Sequence, residues 1–152
     1  MGYVTENLLP GEKVVYQTRL HWIVFVGPGL LILLGLLLKG GSDTSGIGNF
    51  FIGLGLIMGV AAAINRSTSE FAVTDKRVLV KVGLVRRRSL EINLSKVESV
   101  AVDQGILGRI LNYGVIIVRG TGGTQEPFKR IADPMTFRRH VQEQGATSQG
   151  RP

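Results

Sequence analysis

Cysteine is absent from the 152 residues, which excludes disulfides, thiolate zinc sites and a cysteine nucleophile. Histidine occurs only at His21 and His140, too few and too far apart for a histidine-rich metal site. Acidic side chains are scarce, 11 Asp+Glu against 18 Lys+Arg, giving +7 and a pI near 10.3. Aromatics make up 7% and none interleaves with the densest basic cluster, so nucleic acid is not an expected partner. Neither a metal nor a cofactor is expected. Despite 21 glycines the mean hydropathy is +0.22, which argues against a disordered chain.

The apolar residues are concentrated. Trp22–Leu38 (WIVFVGPGLLILLGLLL) and Ile47–Ile64 (IGNFFIGLGLIMGVAAAI) carry no charge and are apolar on every face. As helices they would be about 25–27 Å long, near the short end of what crosses a hydrocarbon core of about 30 Å. The 88 residues that follow the second run are too few to bury both inside a soluble core. The polar link KGGSDTSG can join only antiparallel neighbours, so residues 22–64 are expected to form a transmembrane hairpin. Basic residues cluster after the second run (Arg66, Lys76, Arg77, Lys81), which puts the link outside and both termini in the cytoplasm. Residues 1–21 then form a cytoplasmic N-terminal segment. Glu6 and Glu12 precede the first run and no small-residue site follows it, so it is not expected to be a cleaved signal. Gly55, Gly59 and Ala63 recur at four-residue steps, a pattern that lets helices pack closely. The pattern suits packing within the hairpin or a seam between copies.

Residues 65–152 hold 15 Lys+Arg against 8 Asp+Glu, the whole net charge. Their period-two pattern predicts strands at 71–74, 77–82, 84–94, 97–103, 115–118 and 124–131. The 115–118 segment is apolar on both faces and so central. Asp133 as N-cap, Pro134 at the first helical position and Gly145 as C-cap predict a final helix. Phe137 and Val141 would plug one end of the sheet structure. The domain is expected over 65–145 and a disordered tail over 146–152.

Several strings carry a resemblance: Leu9-Pro10-Gly11-Glu12, Phe71-Ala72-Val73-Thr74-Asp75-Lys76-Arg77, Leu94-Ser95-Lys96-Val97-Glu98-Ser99-Val100, Gln104–Gly114 (QGILGRILNYG) and Val118–Gly123 (VRGTGG). With them the chain resembles the bacterial pleckstrin-homology (PH) domain membrane proteins. The resemblance implies an α+β membrane protein: a two-helix transmembrane hairpin, then a PH-like antiparallel β-barrel of about seven strands with a C-terminal capping helix, at the bacterial inner membrane. It implies no shared catalytic set. A non-enzymatic interaction or scaffold module is expected, binding a protein partner or self-associating, with an anionic-lipid headgroup sensor as the alternative.

Candidate sites follow. Arg86, Arg87 and Arg88, with Lys76 and Arg77, would form a basic cluster facing lipid headgroups, or else a solvated edge that deters sheet pairing. Ile106, Leu107, Arg109, Ile110 and Leu111 would form a short helical turn filling the barrel end, or else a protruding apolar loop touching lipid or another subunit. Gly120–Thr124 lacks the lysine of a phosphate loop and is expected to be a hairpin turn. His140 with Asp133 or Glu143 is the only imaginable acid–base group, and His140 is expected at the surface. His21 is expected at the membrane interface.

Overall fold

The computed structural model describes residues 3–40, 45–83, 88–121, 123 and 125–149. The chain divides into two units, Met1–His21 with Thr68–Pro152, and Trp22–Ser67.

The first unit is α+β. Strands β1 (Val14–Thr18), β2 (Glu70–Thr74), β3 (Arg77–Val82) and β4 (Arg88–Asn93) form one antiparallel sheet in that order. Strands β5 (Val97–Asp103), β6 (Tyr113–Gly120) and β7 (Gln125–Ala132) form a second. Short helices α1 (Tyr3–Glu6) and α4 (Ile106–Leu111) and the terminal α5 (Pro134–Gln149) complete it. The expected closed barrel is replaced by two sheets joined along one seam. Beyond Thr18 the chain runs beside β7: Leu20 bridges Ile131, the His21 N–H donates to the Arg130 carbonyl at 2.8 Å, and the Ala132 N–H donates to the Arg19 carbonyl at 3.1 Å. On the other side β4 and β5 do not pair, among the described residues. The 3-10 turn Leu94–Lys96, anchored by buried Leu94, redirects the chain between them.

Residues 1–21 are therefore not a separate segment. β1 supplies an edge strand, pairing Thr18 with Phe71. Val4 of α1 packs on Ala72 and Leu79, which alternation places on the face opposite Phe71, Val73, Val78 and Val80. Both faces of β2 and β3 are consequently buried, whereas period-two reasoning assigned only one face to the core. Between the sheets lie Phe71, Val80, Ile116, Val118 and Ile131, closed by Phe137 and Val141 of α5. β6 is the central strand of its sheet, as its two apolar faces predict. Pro134 opens α5, but Gly145 lies inside it rather than capping it. In its last turns the Thr147 and Ser148 hydroxyls donate back to the Glu143 and Gly145 carbonyls. The expected disordered tail is thus helical through Gln149, and residues 150–152 lie outside the described ones.

The second unit holds a 3-10 turn (Trp22–Phe25), α2 (Val26–Leu38) and α3 (Ser45–Thr68). Its first apolar run is thus not a single α-helix. The change of helix type falls just before Pro28, which sits in the first turn of α2 where a missing N–H costs least. α3 is 24 residues long and apolar enough to cross a membrane. Its polar last turn is helical, with the Ser67 hydroxyl donating to the Ala63 and Ile64 carbonyls. α2 and α3 meet through glycine: a Cβ on Gly35 would lie 2.7 Å from the Gly48 carbonyl oxygen, and one on Gly55 would lie 3.0 Å from the Pro28 carbonyl oxygen. Gly59 faces Pro28 more loosely, and Ala63 is exposed. The close seam is Gly48 and Gly55, seven residues apart, rather than the Gly55–Gly59–Ala63 series.

Candidate functional site

Glu12 is the most tightly held carboxylate described. Its side chain is fully buried, and Arg77 grips both oxygens at 2.9 Å through Nε and Nη2. The Thr74 hydroxyl donates to Oε1 at 2.7 Å and the Leu9 N–H to Oε2 at 2.7 Å. The remaining Arg77 hydrogens reach Glu91 Oε2 at 2.7 Å and the Asn7 carbonyl at 2.6 Å. Gly11, at φ 76°, makes the turn that brings Glu12 inward. Two of the recognised strings, one before the apolar runs and one after, thus meet in a single ion pair.

Burial by itself pushes the Glu12 carboxyl up. Hydrogen bonds from Arg77, Leu9 and Thr74, with the Arg77 charge, outweigh that and hold it at about 2, below its ordinary 4.5. A depressed carboxylate stabilises the fold fully above its unfolded pKa, and that contribution disappears as pH falls through the folded value. Acid titration of the unfolding free energy is expected to show a loss of about 3 kcal/mol between those two pH values, and Glu12→Gln is expected to abolish the slope.

This pairing corrects the basic cluster. Arg77 is a structural cation, not a headgroup ligand. Lys76 and Arg77 lie at one end of β3, whereas Val82, at the other end, pairs with Arg88. A six-residue strand of roughly 17–20 Å separates the backbone positions of Lys76 and Arg77 from that of Arg88. Arg86 and Arg87 lie outside the described residues, as does the Arg88 side chain.

α4 also departs from the first expectation. Ile106, Leu107 and Ile110 are 81%, 64% and 72% exposed and fill no core; only Leu111 is half-buried. The helix is nevertheless firmly placed. A Cβ on Gly108 would lie 2.6 Å from the Tyr113 carbonyl oxygen, so only glycine permits the close approach. The Gln104 amide donates to the Gly108 and Tyr113 carbonyls at 3.3 and 3.1 Å. Asn112 closes the helix in the left-handed conformation, its N–H donating to the Gly108 carbonyl. A groove of about 430 Å³ runs beside the helix, lined by Ile106, Leu107, Val115, Asp103 and Arg130 among others.

A second groove, of about 380 Å³, lies between α5 and the outer edge of β5, with Glu98, Ser99, Arg138, Val141, Gln142 and Ala146 in its walls. Sequence reasoning missed it because it depends on where α5 docks.

His140 is not at the expected surface position. His140 is half-buried, stacked on Tyr16 at 4.9 Å, with Nδ1 3.3 Å from Glu143 Oε2. Asp133 accepts from the Tyr16 hydroxyl at 3.5 Å. His21 is buried and stacked on Tyr113 at 5.4 Å. Gly123 has φ 79°, in keeping with the expected hairpin turn; Gly122 and Thr124 lie outside the described residues.

Comparison with curated proteins and with solved structures returned no match. The family model described as a bacterial PH domain matches residues 23–145. Two antiparallel sheets closed by a C-terminal helix, together with that match over most of the chain, make this a member of the bacterial PH domain family, a fold used for binding and interaction.

Proposed function

We propose that the chain is a bacterial inner-membrane protein whose α2–α3 pair crosses the bilayer and holds the β domain on the cytoplasmic side as a non-enzymatic interaction module. The observation that carries this reading is an inverted distribution of side chains. The residues buried in the helix pair are Pro28, Gly35, Gly48 and Gly55, while Leu30, Leu37, Phe50, Ile57 and Val60 are more than half exposed. Water penalises that arrangement and lipid favours it, because helices in lipid associate through small residues. Arg66 lies 5.9 Å from the Phe25 ring centroid at the open end of the pair, a suitable cytoplasmic-interface contact.

The partner is a protein that lays an extended segment along β5, its backbone pairing with the strand edge and its side chains entering the groove beside α5. The non-enzymatic reading is supported by the His140 ring being half-buried and stacked on Tyr16. A headgroup sensor remains the second reading, confined to Arg86, Arg87 and Arg88. It is favoured by Arg88 pairing with Val82 at the end of the sheet where β1 finishes and β2 begins.

The lack of cysteine makes the test clean. In spheroplasts a membrane-impermeant maleimide is expected to label Ser45→Cys, and to label Ser95→Cys only after lysis; the reverse pattern refutes the orientation. A photocrosslinker at Gln142 is expected to give a discrete adduct that Ala146→Trp abolishes, with none from Lys76. Equal adducts from both positions would remove the groove reading.

A further inference from the structure

We infer that α4 is a membrane foot: Ile106, Leu107 and Ile110 enter the headgroup–acyl boundary of the bilayer, and Arg109 and Arg130 meet its anionic headgroups. The inference rests on the anchoring half of the proposed function and adds a second, independent contact with the same membrane.

Three observations support it. The first is construction. Gly108, Gln104, Asn112 and Gly114 all act to hold a six-residue helix whose large aliphatics face away from the core. A Cβ on Gly114 would lie 2.7 Å from the Gln104 side chain and 2.8 Å from the Asp103 carbonyl oxygen, so this backbone is packed too closely for another residue. A fixed apolar projection of this kind marks an interaction surface.

The second is position. α4 leads through Asn112 into Tyr113, and Tyr113 stacks on His21. His21 is further tied to Arg130 by its N–H. One peptide bond beyond His21 is Trp22, the first residue of the apolar unit. The C-terminal end of α4 therefore lies two residues from Tyr113, which packs beside the point where the chain leaves the domain. Tethering keeps the local concentration of the α4 aliphatics at the membrane high, so a modest apolar contact suffices to orient the domain.

The third is charge. Arg109 lies on α4 itself, while Arg19, Lys129 and Arg130 are exposed on the seam that holds His21. Asp103, on the groove wall, and Asp133, whose N–H donates to the Asn112 carbonyl at 3.0 Å, are acidic groups on the same side. Aliphatics flanked by cations suit an interfacial helix on anionic lipid, where each cation near the surface contributes about 1 kcal/mol. A purely apolar protein pocket would not call for those cations.

The test uses the full chain in phosphatidylethanolamine–phosphatidylglycerol vesicles, with an environment-sensitive fluorophore on single cysteines at Ile57, Ile106, Ile110 and Ser95. A quencher carried on the lipid is expected to quench Ile57, Ile106 and Ile110 and to spare Ser95, which lies beyond the far end of β4. Labels at Ile106 and Ile110 are expected to be protected from aqueous iodide. Quenching at Ile57 with none at Ile106 and Ile110 would overturn the foot and leave the anchor standing. Absence of quenching at Ile57 would overturn the anchor itself. Protection from iodide without lipid quenching, rising with protein-to-lipid ratio, would assign the surface to a second copy of the chain and refute the foot.

Discussion

Glu12→Ala is expected to destabilise the domain by about 3–5 kcal/mol, read as a drop in thermal midpoint with the protein in detergent or vesicles. The size follows from what is left behind. Arg77 is 11% exposed, and without Glu12 its remaining carboxylate partner among the described residues is the partly exposed Glu91. An arginine held away from water with its main counter-ion removed is costly, because its charge cannot be dropped at any accessible pH. Glu12→Gln preserves shape and loses charge, and is expected to fall between alanine and the parent. Glu12→Leu combined with Arg77→Met removes both charges and is expected to recover much of the loss. If the double variant were as unstable as Glu12→Ala, the ion pair would not be the cause.

The fragment Asn65–Pro152 is expected not to fold. It lacks β1, the Val4 cover over Ala72 and Leu79, the Glu12 counter-ion and the Leu20–Ile131 bridge. Loss of the counter-ion alone removes about 3–5 kcal/mol from a margin that is typically about 5–15 kcal/mol for a whole domain. Its amide spectrum should show the poor dispersion of an unfolded chain. Because Thr18 pairs with Phe71, a short Gly/Ser linker replacing Trp22–Ser67 can close β1 onto β2 as a hairpin. That version is expected to unfold cooperatively. A well-dispersed spectrum from the fragment would show that β1 is dispensable.

Much of the fold was legible in local pattern. Alternation located β2, β3, β5 and β7 to within a residue and the middle of β6, and Pro134 marked the start of α5. β1 was not legible, because VVYQT is short and its partner lies about sixty residues away, beyond both apolar runs. The same distance hid the pairing of Glu12 with Arg77, although both residues sit in strings that drew attention. α4 was misread for a different reason. Aliphatics are ordinarily assigned to a core, and QGILGRILN holds nothing local that says its isoleucines face outward; that depends on Gly108 lying against Tyr113. The β5–α5 groove had no signal in the sequence, since it exists only once α5 has docked.

The hairpin interrupts the β domain after its first strand, and this has a consequence during synthesis. β1 leaves the ribosome before either apolar helix, while its partner β2 is made only after both. At bacterial translation speeds the intervening stretch takes on the order of a few seconds. Throughout that interval β1 has no neighbouring strand and Glu12 has no counter-ion. Folding of the β domain must therefore wait until both apolar helices have been made, and any delay in that interval leaves an unpaired strand open to capture by chaperones or by another nascent chain.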